Sequence, residues 1–252
     1  MEIFDFHLHP GYDFHGPALD DTAFTQPLKQ LGIVGCAGSY TSADCNKRPV
    51  ADYADLIPAY NRAAWEFHDR DPAFFTPGIH IHPAHPDMSA REIRVHYEKG
   101  GILVGELVPY LMGWNYKHEN LYPLLSLIRD LNMVVSIHPS RDFTPVARIM
   151  DNVPGLKLVV AHLGGYELYD QILQLMKTHE TVYTDLSAHG TAWDGLVADA
   201  VRQVGSQRIL YGSDYPGYGA KPFIDIVLEA PIPAEAKENI LYRNATTLLG
   251  KR

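Results

Sequence analysis

His7 and His9 stand two residues apart in Phe6-His7-Leu8-His9. In an extended strand residues two apart point to the same side, so this spacing aims two imidazoles at one point. Three more metal-binding side chains stand further along: His138 in Ile137-His138-Pro139, His162 in Ala161-His162-Leu163-Gly164-Gly165, and Asp214 in Gly212-Ser213-Asp214-Tyr215-Pro216. Imidazoles joined by a carboxylate suit a borderline divalent cation. Zinc is the first expectation, with manganese or another divalent ion as alternatives and one or two ions per chain.

Glu106 follows an apolar run in Val104-Gly105-Glu106-Leu107. A buried, unpaired carboxylate is very costly. The residue therefore calls for a cation, either as a metal ligand that could bridge two ions or as the partner of a His or Arg. His80 and His82 form a second His-x-His, followed by His85, but Pro83 and Pro86 stiffen the stretch. That pair reads as substrate contact or plain loop rather than ligation. Arg48 is a candidate for a substrate carboxylate because guanidinium binds carboxylates bidentately. Arg141 either reaches an anionic substrate or pairs with a neighbouring acid. Asp185 and His189 are candidates for the pocket rim, whereas His15, His68, His96, His118 and His179 read as surface residues.

Short β-rich runs recur along the whole chain, each followed by a polar turn and a segment of helical character. They cover residues 3–9, 33–40, 74–82, 103–110, 134–138, 156–162, 182–186 and 208–214. Several are nearly continuous apolar stretches, as expected of parallel strands covered on both faces. Residues 120–131 place Leu121, Leu124, Leu125, Ile128 and Leu131 on one helical face with Asn120 as N-cap. Residues 144–150 start with a Thr cap and Pro145, and Pro233 opens a last helical stretch through Leu241. Eight β-then-α units predict an α/β fold, a single-domain (β/α)8 TIM barrel over residues 1–252. His7, His9, Glu106, His138, His162 and Asp214 then all lie at the C-terminal ends of strands, where barrel active sites assemble. Residues 41–70 read as a long insert after the second strand, shaping the pocket.

The composition narrows the classes. With 46% hydrophobic residues the chain can fill a large core, and no apolar run is long enough for a membrane span. A formal charge of −9 without a Lys/Arg run argues against nucleic acid as a partner and leaves a small molecule. Two cysteines, Cys36 and Cys45, make no disulfide framework, and no signal peptide opens the sequence; both point to the cytoplasm. Homo-oligomerisation stays open.

Taken in order, Asp5-Phe6-His7-Leu8-His9, Ile137-His138-Pro139, Ala161-His162-Leu163-Gly164-Gly165, Gly212-Ser213-Asp214-Tyr215-Pro216 and Asn244-Ala245-Thr246-Thr247-Leu248-Leu249 span the chain. This series resembles the amidohydrolase superfamily, most closely the amidohydrolase-2 branch that includes aminocarboxymuconate-semialdehyde decarboxylase and related decarboxylases and hydrolases. The resemblance implies that His7, His9, His138 and Asp214 are metal ligands, with Asp214 also taking a proton from a metal-bound water. It implies that His162 is a second-metal ligand or a catalytic acid/base. Many binuclear members carry a carboxylated lysine on strand four, where this chain has Glu106. A glutamate there is similar to TatD-type deoxyribonucleases, although Leu107-Val108-Pro109-Tyr110 fits that pattern poorly.

The leading expectation is a metal-dependent hydrolase in which water activated by the metal attacks an amide, ester or lactone, with Asp214 and His162 as catalytic groups. The alternatives are a nonhydrolytic decarboxylase of a small carboxylic acid, a TatD-like phosphodiesterase, and a metal-binding barrel without catalysis.

Overall fold

The computed structural model describes residues 1–164, 167–188 and 195–251. Its backbone alternates strand and helix: β1 Ile3–Leu8, α1 Asp21–Gln30, β2 Ile33–Ser39, α2 Tyr53–Arg70, β3 Phe75–Ile79, α3 Pro86–Glu98, β4 Leu103–Leu107 and α4 Leu121–Asp130. The second half runs β5 Val134–Ile137, α5 Thr144–Asn152, β6 Lys157–Val160, α6 Tyr169–Thr178, β7 Val182–Asp185, α7 Leu196–Val204, β8 Ile209–Leu210, α8 Ala220–Glu229, α9 Ala234–Glu238 and α10 Asn244–Leu248. All seven neighbouring strand pairs are parallel, in the order β1 to β8. The sheet nearly closes: Phe6 donates to the Tyr211 carbonyl at 3.0 Å, His9 to that of Tyr215 at 2.8 Å, and Asp214 to that of His7 at 2.8 Å. The expected (β/α)8 barrel is the fold, and among the described residues no helix is long and apolar enough to cross a membrane.

The hydrophobic pattern explains the layers. On α4, Leu121, Leu124, Leu125 and Ile128 are buried against the sheet, each contributing about 1.5–3 kcal/mol of burial. Inside the barrel, Phe4, Leu103, Val134, Val159 and Leu210 pack with Ala245, Leu248 and Leu249. Leu103 and Val134 open their strands, so α10 plugs the N-terminal end, opposite the predicted site.

Several local expectations are corrected. The 41–70 insert is mostly the crossover helix α2, whose Tyr53, Ile57, Tyr60, Asn61, Ala64 and Phe67 turn one face to the core. Only residues 41–52 form the loop, in two short 3-10 turns. Asn120 holds the N-cap position of α4 as expected, but its side chain makes no capping hydrogen bond; its Nδ2 donates to the Pro83 carbonyl at 3.1 Å. Thr144 is the first residue of α5 and not its cap, and its N–H donates to Asp142 Oδ1 at 3.3 Å. The last helical stretch continues past Leu241 through α10. β3 stops at Ile79, because the Asn61 amide takes both backbone groups of His80, accepting its N–H at 2.8 Å and donating to its carbonyl at 3.1 Å.

Candidate metal centre

Four strand ends supply the centre. β1 gives His7 and, one residue past its end, His9; β4 gives Glu106; His162 and Asp214 follow β6 and β8. Asp214 is the most open, its side chain 19% exposed, while His7, His9, Glu106 and His162 are buried. Two glycines make the close packing possible. A side chain at Gly212 would lie 2.7 Å from the His7 Cβ, and one at Gly105, whose φ is +107°, would lie 2.1 Å from the Ser136 carbonyl oxygen.

The imidazoles are oriented from behind. His7 Nδ1 donates to Asp185 Oδ2 at 2.9 Å, and His9 Nδ1 donates to the Ser39 carbonyl at 3.1 Å. Ser187 Oγ donates to Asp185 Oδ1, so it accepts from His162 Nδ1 at 2.8 Å. With each Nδ1 anchored, the three Nε2 atoms turn inward with their lone pairs available, the arrangement a metal-ligating histidine requires. His7 Nε2 and His9 Nε2 lie 3.2 Å apart and each 3.5 Å from Glu106 Oε2. Asp214 Oδ1 stands 3.4 Å from His9 Nε2 and 3.8 Å from His7 Nε2. Ligands about 2.1 Å from a tetrahedral centre are separated by about 3.4 Å, so these spacings fit one divalent cation.

Glu106 joins this set to a second one. Its Oε1 lies 3.1 Å from His138 Nδ1 and 3.2 Å from His162 Nε2, and those two nitrogens are 3.2 Å apart. His138 thus faces Glu106 and His162, turning Nδ1 and not Nε2 to the centre. Among the described residues, His7 with Glu106 and His162, and His7 with His9 and Asp214, are the groups spaced to hold a metal ion.

Electrostatics agree with a cation site. Burial opposes charging His7, yet Asp185 and Glu106 raise its pKa well above the usual histidine value. Burial likewise opposes His9, and Asp214 and Glu106 lift it to about 9. Burial would raise Glu106, but His7 and His138 hold it well below the carboxylate range. The pull that keeps protons on these nitrogens acts equally on a metal ion at the same point. His162 and Asp214 also have positive φ, +61° and +63°, a strained geometry of about 1–3 kcal/mol that clusters at functional sites. Backbone bonds hold both: the His162 N–H donates to Asp185 Oδ1 at 3.1 Å, the Asp214 N–H to the His7 carbonyl.

Other expected site residues lie elsewhere. Arg48 is exposed and forks onto Asp44, with Nη2 3.0 Å from Oδ1. His80 Nε2 donates to the Tyr40 carbonyl at 2.8 Å, and His82 Nε2 to that of Met112 at 2.9 Å. Arg141 lines a cavity of about 520 Å³ beside His138, with Tyr110, Trp114 and Tyr116 as aromatic walls. Gly165 and His189 lie outside the described residues. Among the histidines read as surface, His15 is exposed; His68, His118 and His179 are half-buried. His96 is buried, accepting from Trp65 Nε1 at 3.1 Å on the inner face of α3.

Ser39, Ser187 and Asp5 were missed by sequence reasoning. Asp5, pushed up to about 7 by burial, accepts from Ser213 Oγ at 2.6 Å and ties β1 to the segment after β8. The signal was present: Asp5 and Ser187 stand two residues from His7 and Asp185, and Asp5 shares the β1 strand with His7 at the spacing of one face.

The chain matches the family model described as Amidohydrolase over residues 4–251. A comparison with curated proteins finds no match. Among solved structures, 2,6-dihydroxybenzoate decarboxylase complexed with 2,6-dihydroxybenzoate superposes with a TM-score of 0.78 at 15% identity, covering 99% of both chains. Dihydroxybenzoic acid decarboxylase from Polaromonas sp. JS666, with bound manganese and the inhibitor 2-nitroresorcinol, gives 0.74 at 15% identity over 99% of this chain and 96% of that one. The 5-carboxyvanillate decarboxylase from Novosphingobium aromaticivorans DSM 12444, complexed with manganese and 4-hydroxy-3-methoxy-5-nitrobenzoic acid, gives 0.72 at 17% identity, over 90% and 79%. These likenesses show the barrel; the family model spans nearly all 252 residues, and the chain belongs to the amidohydrolase family.

Proposed function

We propose that this chain is a metal-dependent decarboxylase of a small hydroxylated aromatic acid. The observation that carries the reading is the cavity beside His138, walled by Tyr110, Trp114 and Tyr116, with the Tyr110 ring 5.1 Å from that of His138. A flat aromatic acid matches those walls, and the structural neighbours named above are decarboxylases of such acids.

His7, His9, Glu106 and Asp214 would hold the cation, and two imidazoles with two carboxylates accept zinc or manganese. When bound, the cation supplies the positive charge that anchors the carboxylate and neighbouring hydroxyl of the acid. Burial would raise Asp214, but His9 and His7 hold it below the ordinary carboxylate value, so it faces the open mouth ionised. It takes the proton of the acid's own hydroxyl and passes it to the ring carbon as CO₂ leaves, the electron pair of the broken C–C bond forming the new C–H bond. His162, raised above the ordinary histidine value by Glu106 against the effect of burial, holds a proton beside that carboxylate.

The test incubates protein purified without chelators with hydroxybenzoic acids in ¹⁸O-water. One CO₂ per acid consumed and no ¹⁸O in the aromatic product is the expected result. The second reading is hydrolysis, favoured by the position of Asp214 Oδ1 at the open mouth, 3.4 Å from His9 Nε2, where a carboxylate accepts a proton from water. Cleavage of an ester, lactone or amide with ¹⁸O incorporation establishes it instead. Under either reading Asp214→Asn lowers turnover by about 10³-fold with circular dichroism unchanged; near-normal turnover removes Asp214 from the chemistry. A metal-loaded protein inert in both panels leaves the barrel without catalysis. Elemental analysis gives the ion count: one equivalent places a single cation at His7 and His9, two make Glu106 a bridge.

A further inference from the structure

Residues 108–120, between β4 and α4, form the loop that carries Tyr110, Trp114 and Tyr116, the aromatic walls of the cavity beside His138. Trp114 is buried, yet its indole N–H has no hydrogen-bond partner among the described residues. Ring packing therefore orients it. Its centroid lies 6.3 Å from that of His82 and 5.6 Å from that of Tyr116, both in edge contact. His82 in turn stacks on Tyr53, with centroids 4.7 Å apart and 22° between the planes. Tyr53, His82, Trp114 and Tyr116 thus form one column, running from the first residue of α2 to the cavity. Hydrogen bonds fix it at both ends. Tyr116 Oη donates to the His138 carbonyl at 2.6 Å, and His138 Nδ1 lies 3.1 Å from Glu106 Oε1. At the far end Tyr53 Oη shares its proton between the carbonyls of Cys45 at 2.7 Å and Leu111 at 3.1 Å, tying the loop after β2 to the loop after β4. His82 Nε2 holds the next carbonyl, that of Met112, at 2.9 Å. His82 is itself fixed: its Nδ1 accepts the Ala84 N–H at 3.3 Å, which leaves the proton on Nε2, and its backbone N–H donates to Ser89 Oγ at 2.8 Å.

From this column we infer that Tyr53 and His82 are positioning residues. Acting through Leu111, Met112 and Trp114, they set the aromatic wall against the His138 side of the metal centre and so fix how tightly the cavity holds a flat ring. The inference rests on the reading that places such a ring in this cavity. Neither residue lines the cavity itself, and both are fully buried. Loss of either donor leaves a carbonyl of the wall loop with one partner fewer, and Trp114, which has no side-chain hydrogen bond of its own, shifts with the loop. The second His-x-His thereby gains a role of its own, ordering the wall that faces the cation.

Labelling with 5-fluorotryptophan tests this, since the chain has three tryptophans and Trp114→Phe assigns one of the three ¹⁹F resonances. Tyr53→Phe, which keeps the ring stack and removes only the hydroxyl, should displace or broaden the Trp114 resonance and leave the other two in place. His82→Leu should do the same. His82→Gln keeps a donor for the Met112 carbonyl and should fall between His82→Leu and the wild type, a rescue that a purely space-filling role would not produce. Calorimetric titration of the metal-loaded proteins with salicylate should show affinity about tenfold weaker in Tyr53→Phe and His82→Leu, with metal content unchanged. A Trp114 resonance unmoved in both variants, all three resonances moving together, or wild-type salicylate affinity in a variant whose Trp114 has moved overturns the inference. Its failure is separable from that of the reaction. A displaced Trp114 in a protein that binds no hydroxybenzoic acid keeps the positioning role and removes the decarboxylase, whereas CO₂ release by the wild type with Trp114 unmoved in the variants does the reverse.

Discussion

At the end of β1, His7 and His9 commit Nδ1 to Asp185 and Ser39 and bring their Nε2 atoms within 3.2 Å; beyond the end of β3, His80 and His82 commit Nε2 to the carbonyls of Tyr40 and Met112. The two pairs share one spacing and are all buried. What separates them is the company of carboxylates. Asp185, Glu106 and Asp214 surround the first pair and raise both pKa values against the effect of burial. Around the second pair burial dominates, pushing His80 down to about 4 and lowering His82. The backbone differs as well. His7 lies within a strand, whereas the Asn61 side chain holds the backbone of His80 outside the sheet, and His82 stacks on Tyr53 with ring centroids 4.7 Å apart. A His-x-His pair becomes a cation site when the wall of the barrel takes the outer nitrogens and acids surround the inner ones.

Substitutions in the two pairs separate these roles, and the largest effect lies in the first. His7→Ala or His9→Ala should empty the centre, with metal content falling below a tenth of an equivalent and turnover falling by about 10³-fold or more. Retained metal would show that Glu106, His162 and Asp214 suffice. Next comes pH. His80 is neutral when folded and protonates on unfolding, so the unfolded chain binds the extra proton between its pKa near 6.5 and the folded value of about 4. Stability present above pH 6.5 is therefore lost as pH falls through this window, by about 3 kcal/mol once the pH is below 4. Urea titrations of His80→Gln should show that much less acid sensitivity than the wild type; identical pH profiles would mean that His80 is charged in the fold. A smaller change follows Asp185→Asn, which removes the acceptor that fixes the His7 tautomer and should weaken metal binding by about 10–100-fold in a chelator competition. Smallest is His82→Asn. It loses the ring stack and leaves the Met112 carbonyl short of a donor, a cost of about 1–3 kcal/mol, with metal content unchanged. Loss of metal from that variant would return the second pair to the site.

The eight strands were legible because parallel strands covered on both faces leave apolar runs, as in Leu158-Val159-Val160. The inward residues were legible because histidines and acids closed those runs. What stayed hidden depends on contacts between distant segments. Ser39 contributes only a carbonyl, which its side chain does not announce, and the partnership of Asp185 with His7 spans 178 positions of sequence. The buried position of His96 follows from the side of α3 that meets Trp65, and the periodicity of α3 alone does not mark it. Residues 53–70 read as part of an insert, whereas burial of Tyr53, Ile57, Ala64 and Phe67 on one face makes them a helix with Pro58 inside it.

The closure of the barrel has a consequence of its own. β8 and the segment after it meet β1 through a few backbone hydrogen bonds and a bridge between Leu8 and Tyr215, and at that seam His7 and His9 face Asp214. Side chains from the first and last strands thus converge at one point, and a cation held there would work as a clasp on the cylinder. Its affinity would add directly to the cohesion of the seam, by about 4 kcal/mol at a free ion concentration a thousand times the Kd. The unfolded chain, with its two ends apart, has no such site to offer.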